Sequence, residues 1–232
     1  MRYLTLEHYR QTLVTYSSLE ACARFHETQS EARGNVFQGL LEEFAQTLKV
    51  GKVLDLGCGT GVDVGALRQR GFDAFGIDSS SCLIRYAVDK FGPHFRVFDI
   101  RRCQEFGRCF DGVLCIFSLI HFPWSEWLKI LTSANSVLLS GGVLLLSVKE
   151  GKGVLCDKRL GRDFPRFVQL CSSDDVEPLL LSAGFADLDF RHSQGNPVPW
   201  LHVFARNGQA VGGGGTPGTM IGTFSPQTEG YI

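Results

Sequence analysis

The stretch Val53-Leu54-Asp55-Leu56-Gly57-Cys58-Gly59-Thr60-Gly61, followed by Phe72-Asp73-Ala74-Phe75-Gly76-Ile77-Asp78, decides the reading of this chain. A short apolar strand opens into a turn with glycine at three alternate positions, and a second apolar strand ends on a carboxylate. Glycine lets the backbone lie against a ligand where any Cβ would collide. An acid at the end of the neighbouring strand can accept hydrogen bonds from both hydroxyls of a ribose. Asp78 follows Gly57 at about the 20-residue separation of ribose-binding acids, so the two segments together describe a nucleoside-binding corner.

Working outward, the chain of 232 residues is long enough to bury the core of a single α/β unit. A formal charge of -1 provides no long-range attraction for nucleic acid, and none is expected as a partner. The eight cysteines include no C-x-x-C pair, and several sit inside apolar patterns where cysteine acts as a small hydrophobe. They read as reduced thiols of a cytoplasmic protein, with no metal site. The N-terminal stretch has no apolar signal core, and the longest apolar run, Val137 to Val148, is broken by Ser140-Gly141-Gly142. No membrane association is expected.

Residues 1–49 read as a helical cap, clearest where Val36, Phe37, Leu40, Leu41, Phe44, Ala45 and Leu48 recur at helical spacing. From Lys52 onward strand and helix patterns alternate. Strands are expected to Leu56, to Ile77, over Phe95–Phe98, over Phe110–Phe117 and over Val143–Val148. Helices are expected over Val62–Gln69, Ser80–Phe91 and Pro123–Leu139. Such alternation implies a mostly parallel sheet with helices on both faces. Ser173-Asp174-Asp175 starts a further helix that Gly184 stops, and Phe185–Arg191 and Trp200–Arg206 form a closing strand pair. The main domain therefore spans 50–207. Residues 208–232, with Gly212-Gly213-Gly214-Gly215 and almost no apolar periodicity, read as a flexible tail.

The glycine spacing separates two kinds of nucleoside cofactor. A dinucleotide fold wants G-x-G-x-x-G, which would place glycine where Val62 stands, and no Gly-Lys-Ser/Thr ending makes a P-loop. The G-x-G-x-G of Gly57, Gly59 and Gly61 resembles motif I of the class I S-adenosylmethionine-dependent methyltransferases. In order and spacing the resemblance covers roughly Phe37 to Arg206. It implies a Rossmann-like three-layer α/β sandwich with a seven-stranded, mostly parallel sheet whose last strand pair is reversed. S-adenosylmethionine is the implied cofactor. Within it, Phe98-Asp99-Ile100 stands where the family places an adenine-contacting acid, and Ser118-Leu119-Ile120-His121-Phe122-Pro123 resembles the loop that faces the methyl acceptor. Ser147-Val148-Lys149-Glu150-Gly151 and Gly161-Arg162-Asp163-Phe164 resemble the substrate-side segments of a small-molecule subgroup that includes tellurite-resistance-type enzymes.

The resemblance implies a cofactor-binding set of Asp55, Gly57, Cys58, Gly59, Gly61, Asp78, Ser79, Asp99, Ile100 and Cys115. Asp55 either meets the cofactor amino group or satisfies loop amides; Asp99 either recognises adenine or caps a helix. On the acceptor side His121 is the candidate base, since histidine titrates near neutral pH, or it hydrogen-bonds a backbone carbonyl. Tyr16 and Phe122 are candidate pocket walls, and Lys149 and Arg162 either contact an acceptor anion or are plain surface charges. The function expected is methyl transfer to a small-molecule O, N or S nucleophile by in-line displacement, without metal. The alternative is a cofactor-binding sensor or partner subunit that has lost turnover.

Overall fold

The computed structural model describes residues 3–32 and 35–208. Apolar residues of the first strand, β1 (Lys52–Leu56), are shielded on both faces, with Val53, Leu54 and Leu56 fully buried, as a parallel strand covered by helices requires. Around it lie β2 (Asp73–Asp78), β3 (Phe95–Val97), β4 (Phe110–Ile116) and β5 (Leu138–Glu150), in the spatial order β3-β2-β1-β4-β5 and all parallel. A closing hairpin of β8 (Phe185–Ser193) and β9 (Trp200–Asn207) inserts β9 beside β5, antiparallel to it. Strands joined as a hairpin must oppose one another, so the reversal expected of the last pair falls on β9, while β8 returns to the common direction.

Two further strands were not anticipated. β6 (Gly153–Asp157) and β7 (Arg166–Cys171) form an antiparallel hairpin, bringing the sheet to nine strands among the described residues. β4 accompanies β5 as far as Ser147, and β7 takes over the same edge at Lys149 and Glu150. The hairpin therefore stands at the C-terminal end of β4, where an α/β sheet places its ligands.

Helices cover both faces. α1 (Leu6–Ser17), α6 (Trp124–Val137) and α7 (Ser173–Ser182) pack on one core, centred on Leu54, Leu144, Leu146 and Trp127. α3 (Asn35–Leu48), α4 (Val62–Gln69) and α5 (Ser81–Phe91) cover the other, around Val53, Leu145 and Phe44, and α2 (Leu19–Ala32) links the two helical layers. Local chemistry sets the ends: Ser80 caps α5 by accepting from the Leu83 amide, and Ser172 with Asp175 forms a capping box for α7. The expected tail of 208–232 lies outside the described residues but for Gly208.

α1 is tied to the sheet end mainly by long-range polar contacts. The Leu4 amide donates to Gln169 Oε1 (2.7 Å), the Phe167 amide to Thr12 Oγ1 (2.9 Å) and the Thr15 hydroxyl to the Pro165 carbonyl (2.7 Å). α3, by contrast, is held by apolar burial, with Phe44 inserted over Gly112, where an added Cβ would stand 2.5 Å from its ring. Phe44→Ala is therefore expected to lower the free energy of unfolding by about 3–5 kcal/mol, read from urea denaturation with an unchanged slope.

Candidate active site

The first-strand loop is built by its glycines. Gly57, Gly59 and Gly61 all hold positive φ, at 77°, 53° and 76°. The turn directs the Gly57 and Cys58 amides to the Ile77 carbonyl (2.8 and 3.0 Å) and the Gly59 amide to Asp78 Oδ2 (3.0 Å). A Cβ on Gly57 would stand 2.3 Å from that of Ser118, so this position cannot carry a side chain without displacing the loop after β4. Gly61 serves differently. It is the N-cap of α4, and its missing Cβ makes room for the Phe95 ring, 2.6 Å away, rather than for a ligand.

A cavity of about 80 Å³ opens beside this loop. Gly57, Cys58, Gly59, Asp78 and Ser79 form one end, Asp99 and Ile100 a side, and Ile116, Phe117, Ser118, His121 and Phe122 the β4 side. Tyr9, Thr12, Leu13, Tyr16 and Phe25 cover it from α1 and α2. Phe117 reaches its place through a left-handed backbone (φ 61°), uncommon for a bulky residue. Of the residues singled out in the sequence, ten line this one cavity: Gly57, Cys58, Gly59, Asp78, Ser79, Asp99, Ile100, Tyr16, His121 and Phe122.

The others fall elsewhere. Asp55 is buried behind the wall, and Cys115 is buried with its thiol against Ser118 Oγ (3.2 Å). Lys149 is turned into the protein: its ammonium donates to the Val198 carbonyl (2.9 Å) and lies 3.6 Å from the centre of the Trp200 ring. Arg162 is exposed, away from the cavity. Neither basic side chain lines the cavity.

Electrostatics within the cavity follow from burial. Desolvation raises Asp78 above the usual carboxylate range, opposed by the amides of Ser80, Gly59 and Ser79 that hold the charged form. Asp99 is pulled below its usual value despite burial, because Arg101 binds it through its guanidinium and its own amide; it caps the 3-10 turn Ile100–Phe106. The thiols of Cys58 and Cys115 are both pushed up by burial, the latter to about 11, so neither is a thiolate at neutral pH.

His121 is the most perturbed group. Burial pushes it down to about 4, aided by the charge of Arg166 and opposed by the Phe167 carbonyl and Asp157. Its Nδ1 lies 2.9 Å from the Phe167 carbonyl and its Nε2 3.3 Å from the Tyr16 hydroxyl. A carbonyl oxygen only accepts, so the proton sits on Nδ1 and the Nε2 lone pair faces Tyr16. Sequence reasoning missed Asp157 and Arg166, which stand behind Tyr16.

A second buried imidazole, His202, is likewise depressed to about 4, chiefly by burial, between the hydroxyls of Ser147 and Ser193. Both rings are neutral when folded and titrate near 6.5 when unfolded. The unfolded chain therefore binds more protons between pH 6.5 and 4. Folding stability is expected to be fully present above about pH 6.5 and to be lost as the pH falls toward 4. Urea denaturation across that range checks this, and replacing either histidine by Asn should flatten the dependence.

Comparison with known proteins agrees with this geometry. Residues 53–142, from β1 into β5, match the family described as a methyltransferase domain. The chain is 28% identical over 152 residues to magnesium-protoporphyrin O-methyltransferase of Rhodobacter capsulatus, covering 63% of this chain and 67% of that one. To glycine N-methyltransferase of Oryctolagus cuniculus it is 30% identical over 125 residues, covering 45% and 42%. The chain thus spans between about two fifths and two thirds of the length of these curated relatives. Among solved structures, 1,6-didemethyltoxoflavin-N1-methyltransferase of Burkholderia thailandensis shares the fold, with a TM-score of 0.61 at 20% identity over 82% of this chain and 88% of that one. The tellurite-resistance-type subgroup finds no support in these matches. Residues 53–142 thus match a methyltransferase domain, set in a fold of the class I type that the Burkholderia enzyme shares.

Proposed function

We propose that the protein transfers a methyl group from S-adenosylmethionine to the oxygen, nitrogen or sulfur of a small molecule. The observation that carries this reading is one cavity bounded by the bare glycine loop at one end and by His121 on the β4 side, with Tyr16 of α1 over it. The residues fit the cofactor. Gly57, Cys58 and Gly59 offer a surface for its amino-acid portion, Asp78 stands to accept from the ribose hydroxyls, and Asp99 with Ile100 lies where adenine would be received. Asp78 Oδ2 accepts from the Gly59 amide and Oδ1 from the Ser80 amide, and with the Ser79 amide also near, the carboxylate's two oxygens still keep lone-pair capacity for a further donor.

When bound, the cofactor would supply a methyl on a sulfonium, with a neutral thioether as its leaving group. The chain's task is then placement, which is worth about 7–11 kcal/mol in favourable cases, exclusion of water and reception of one proton. His121 Nε2 is the proton acceptor in this reading. No Lys or Arg lines the cavity among the described residues, and its charged groups are the carboxylates of Asp78 and Asp99. An acceptor without negative charge therefore suits the site better than an anion. The Rhodobacter relative's named porphyrin and the Burkholderia enzyme's named toxoflavin precursor are both ring systems, and a planar acceptor would find Phe25, Phe117 and Phe122 on the walls.

Calorimetry with S-adenosylhomocysteine tests the reading. The wild-type chain should bind it, and Asp78→Ala should weaken binding about 10- to 100-fold, the loss of charge-assisted hydrogen bonds. Absence of any binding by the wild-type protein would sink the proposal. A panel of neutral phenols, amines and thiols, assayed by S-adenosylhomocysteine release, should outperform their carboxylated analogues.

A further inference from the structure

Neither Asp157 nor Arg166 carries a local sequence signal, yet they face each other as cross-strand partners of β6 and β7. Both side chains are more than nine-tenths buried. Arg166 Nη2 donates to Asp157 Oδ2 at 2.6 Å, and Arg159 grips the same carboxylate from the other side, so Asp157 is fully ionised and cannot turn away. The second arm of Arg166, Nη1, donates to the Tyr16 hydroxyl at 3.1 Å.

This contact settles the direction of every proton along the line. Arg166 only donates, so the Tyr16 oxygen accepts from it. The proton of Tyr16 then has His121 Nε2 as its acceptor, because Nδ1–H is committed to the Phe167 carbonyl. The second lone pair of the Tyr16 oxygen is left for a donor in the cavity that Tyr16 and His121 both line. We propose that Arg166, anchored by Asp157, is a positioning residue that turns the Tyr16 hydroxyl into a one-way proton bridge from the methyl acceptor to His121 Nε2. The inference deepens the methyltransferase reading and rests on it for its catalytic meaning.

The step balances. As the acceptor atom bonds to the methyl carbon, its proton passes to the Tyr16 oxygen, the proton of Tyr16 passes to His121 Nε2, and His121 finishes as imidazolium. Tyr16 is phenol before and after, consistent with a buried hydroxyl whose ionisation is raised by desolvation. The charged and titratable groups around His121 are Tyr16 on α1, Asp157 on β6, Arg159 after it, Arg166 on β7 and Asp78 across the cavity. Arg166 is the cation in direct contact with the bridge, and burial together with its charge keeps the resting His121 ring neutral and its Nε2 lone pair free of a proton.

The readout that a purely structural arginine would not move is the titration of His121 itself, followed by imidazole nitrogen resonances of the full chain without cofactor. Wild type should show one Nδ1–H tautomer titrating at about 4. Arg166→Gln should raise that midpoint by about one pH unit and populate the second tautomer. Arg166→Lys, which keeps the charge but not the fork, should fall between. Tyr16→Phe, which removes a single oxygen and decides the matter should the Arg166 variants not fold, should also raise the midpoint, because the hydroxyl stabilises the neutral ring. His202, held between Ser147 and Ser193, is the internal control and should stay still.

An unmoved His121 in Arg166→Gln and Tyr16→Phe overturns the proposal. So does a wild-type ring protonated on Nε2, or a parallel shift of His202 that reveals a general disturbance. S-adenosylhomocysteine affinity measured alongside separates the two claims: absent binding in wild type defeats the methyltransferase reading and leaves the titration result standing.

Discussion

Three consecutive backbone amides, those of Gly57, Cys58 and Gly59, are satisfied by the end of β2, two on the Ile77 carbonyl and one on the Asp78 carboxylate. This arrangement is the constraint from which the rest of the site follows. It demands positive φ at Gly57 and Gly59, strips the loop of side chains on its ligand side and pulls the only acid of the β2 terminus onto it. The Ser118 Cβ then occupies the space a side chain at Gly57 would need, which brings the loop after β4 against the same corner. One hydrogen-bonded turn thereby sets the mutual distances of three strand ends.

The cover of the site obeys a different logic. α1 presents little of the apolar stripe that usually docks a helix, and its buried residues include Thr12 and Thr15, whose hydroxyls pair with the backbone of β7 and of Pro165 before it. Directional polar contacts fix orientation more narrowly than apolar burial does, because a misplaced hydroxyl leaves a buried donor or acceptor unsatisfied. The Tyr16 carbonyl adds a further tie, accepting from Ser80 Oγ beside Asp78 at 2.5 Å and from Cys22 Sγ at 3.2 Å. The residue that links cover to base is thus held by both its main chain and its hydroxyl.

Much of this was legible in the sequence where a single element carries the signal. β1, α4 and β2 fall within a residue or so of their expected bounds, because unbroken apolar runs and glycine breaks are local features. That Gly57, Asp78 and Asp99 come together was legible for the same reason: each lies at the end of an apolar strand, and all three line the one cavity. The β6–β7 hairpin was not, since Gly153–Asp157 and Arg166–Cys171 are short, lack clean alternation and are separated by a polar loop. Arg166 acquires its role by facing Asp157 across that hairpin and Tyr16 across 150 residues of chain, a relation no window of sequence contains. Lys149 was misread for the converse reason: a lysine at a strand end reads as an exposed charge, but here Trp200 and the Val198 carbonyl enclose it, and burial lowers it to about 8.

Burial acts on the two ends of the cavity in the same sense and with different outcomes. It disfavours the charged form of Asp78 and of His121 alike. At Asp78 the amides of Gly59, Ser79 and Ser80 compensate, so a carboxylate can persist where a ribose would be received. At His121 the nearest charge is the guanidinium of Arg166, of the wrong sign to help, and the ring stays neutral with its lone pair available. The distribution of these partners between the two ends, rather than the depth of burial, is what suits one end to hold a carboxylate and the other a neutral imidazole.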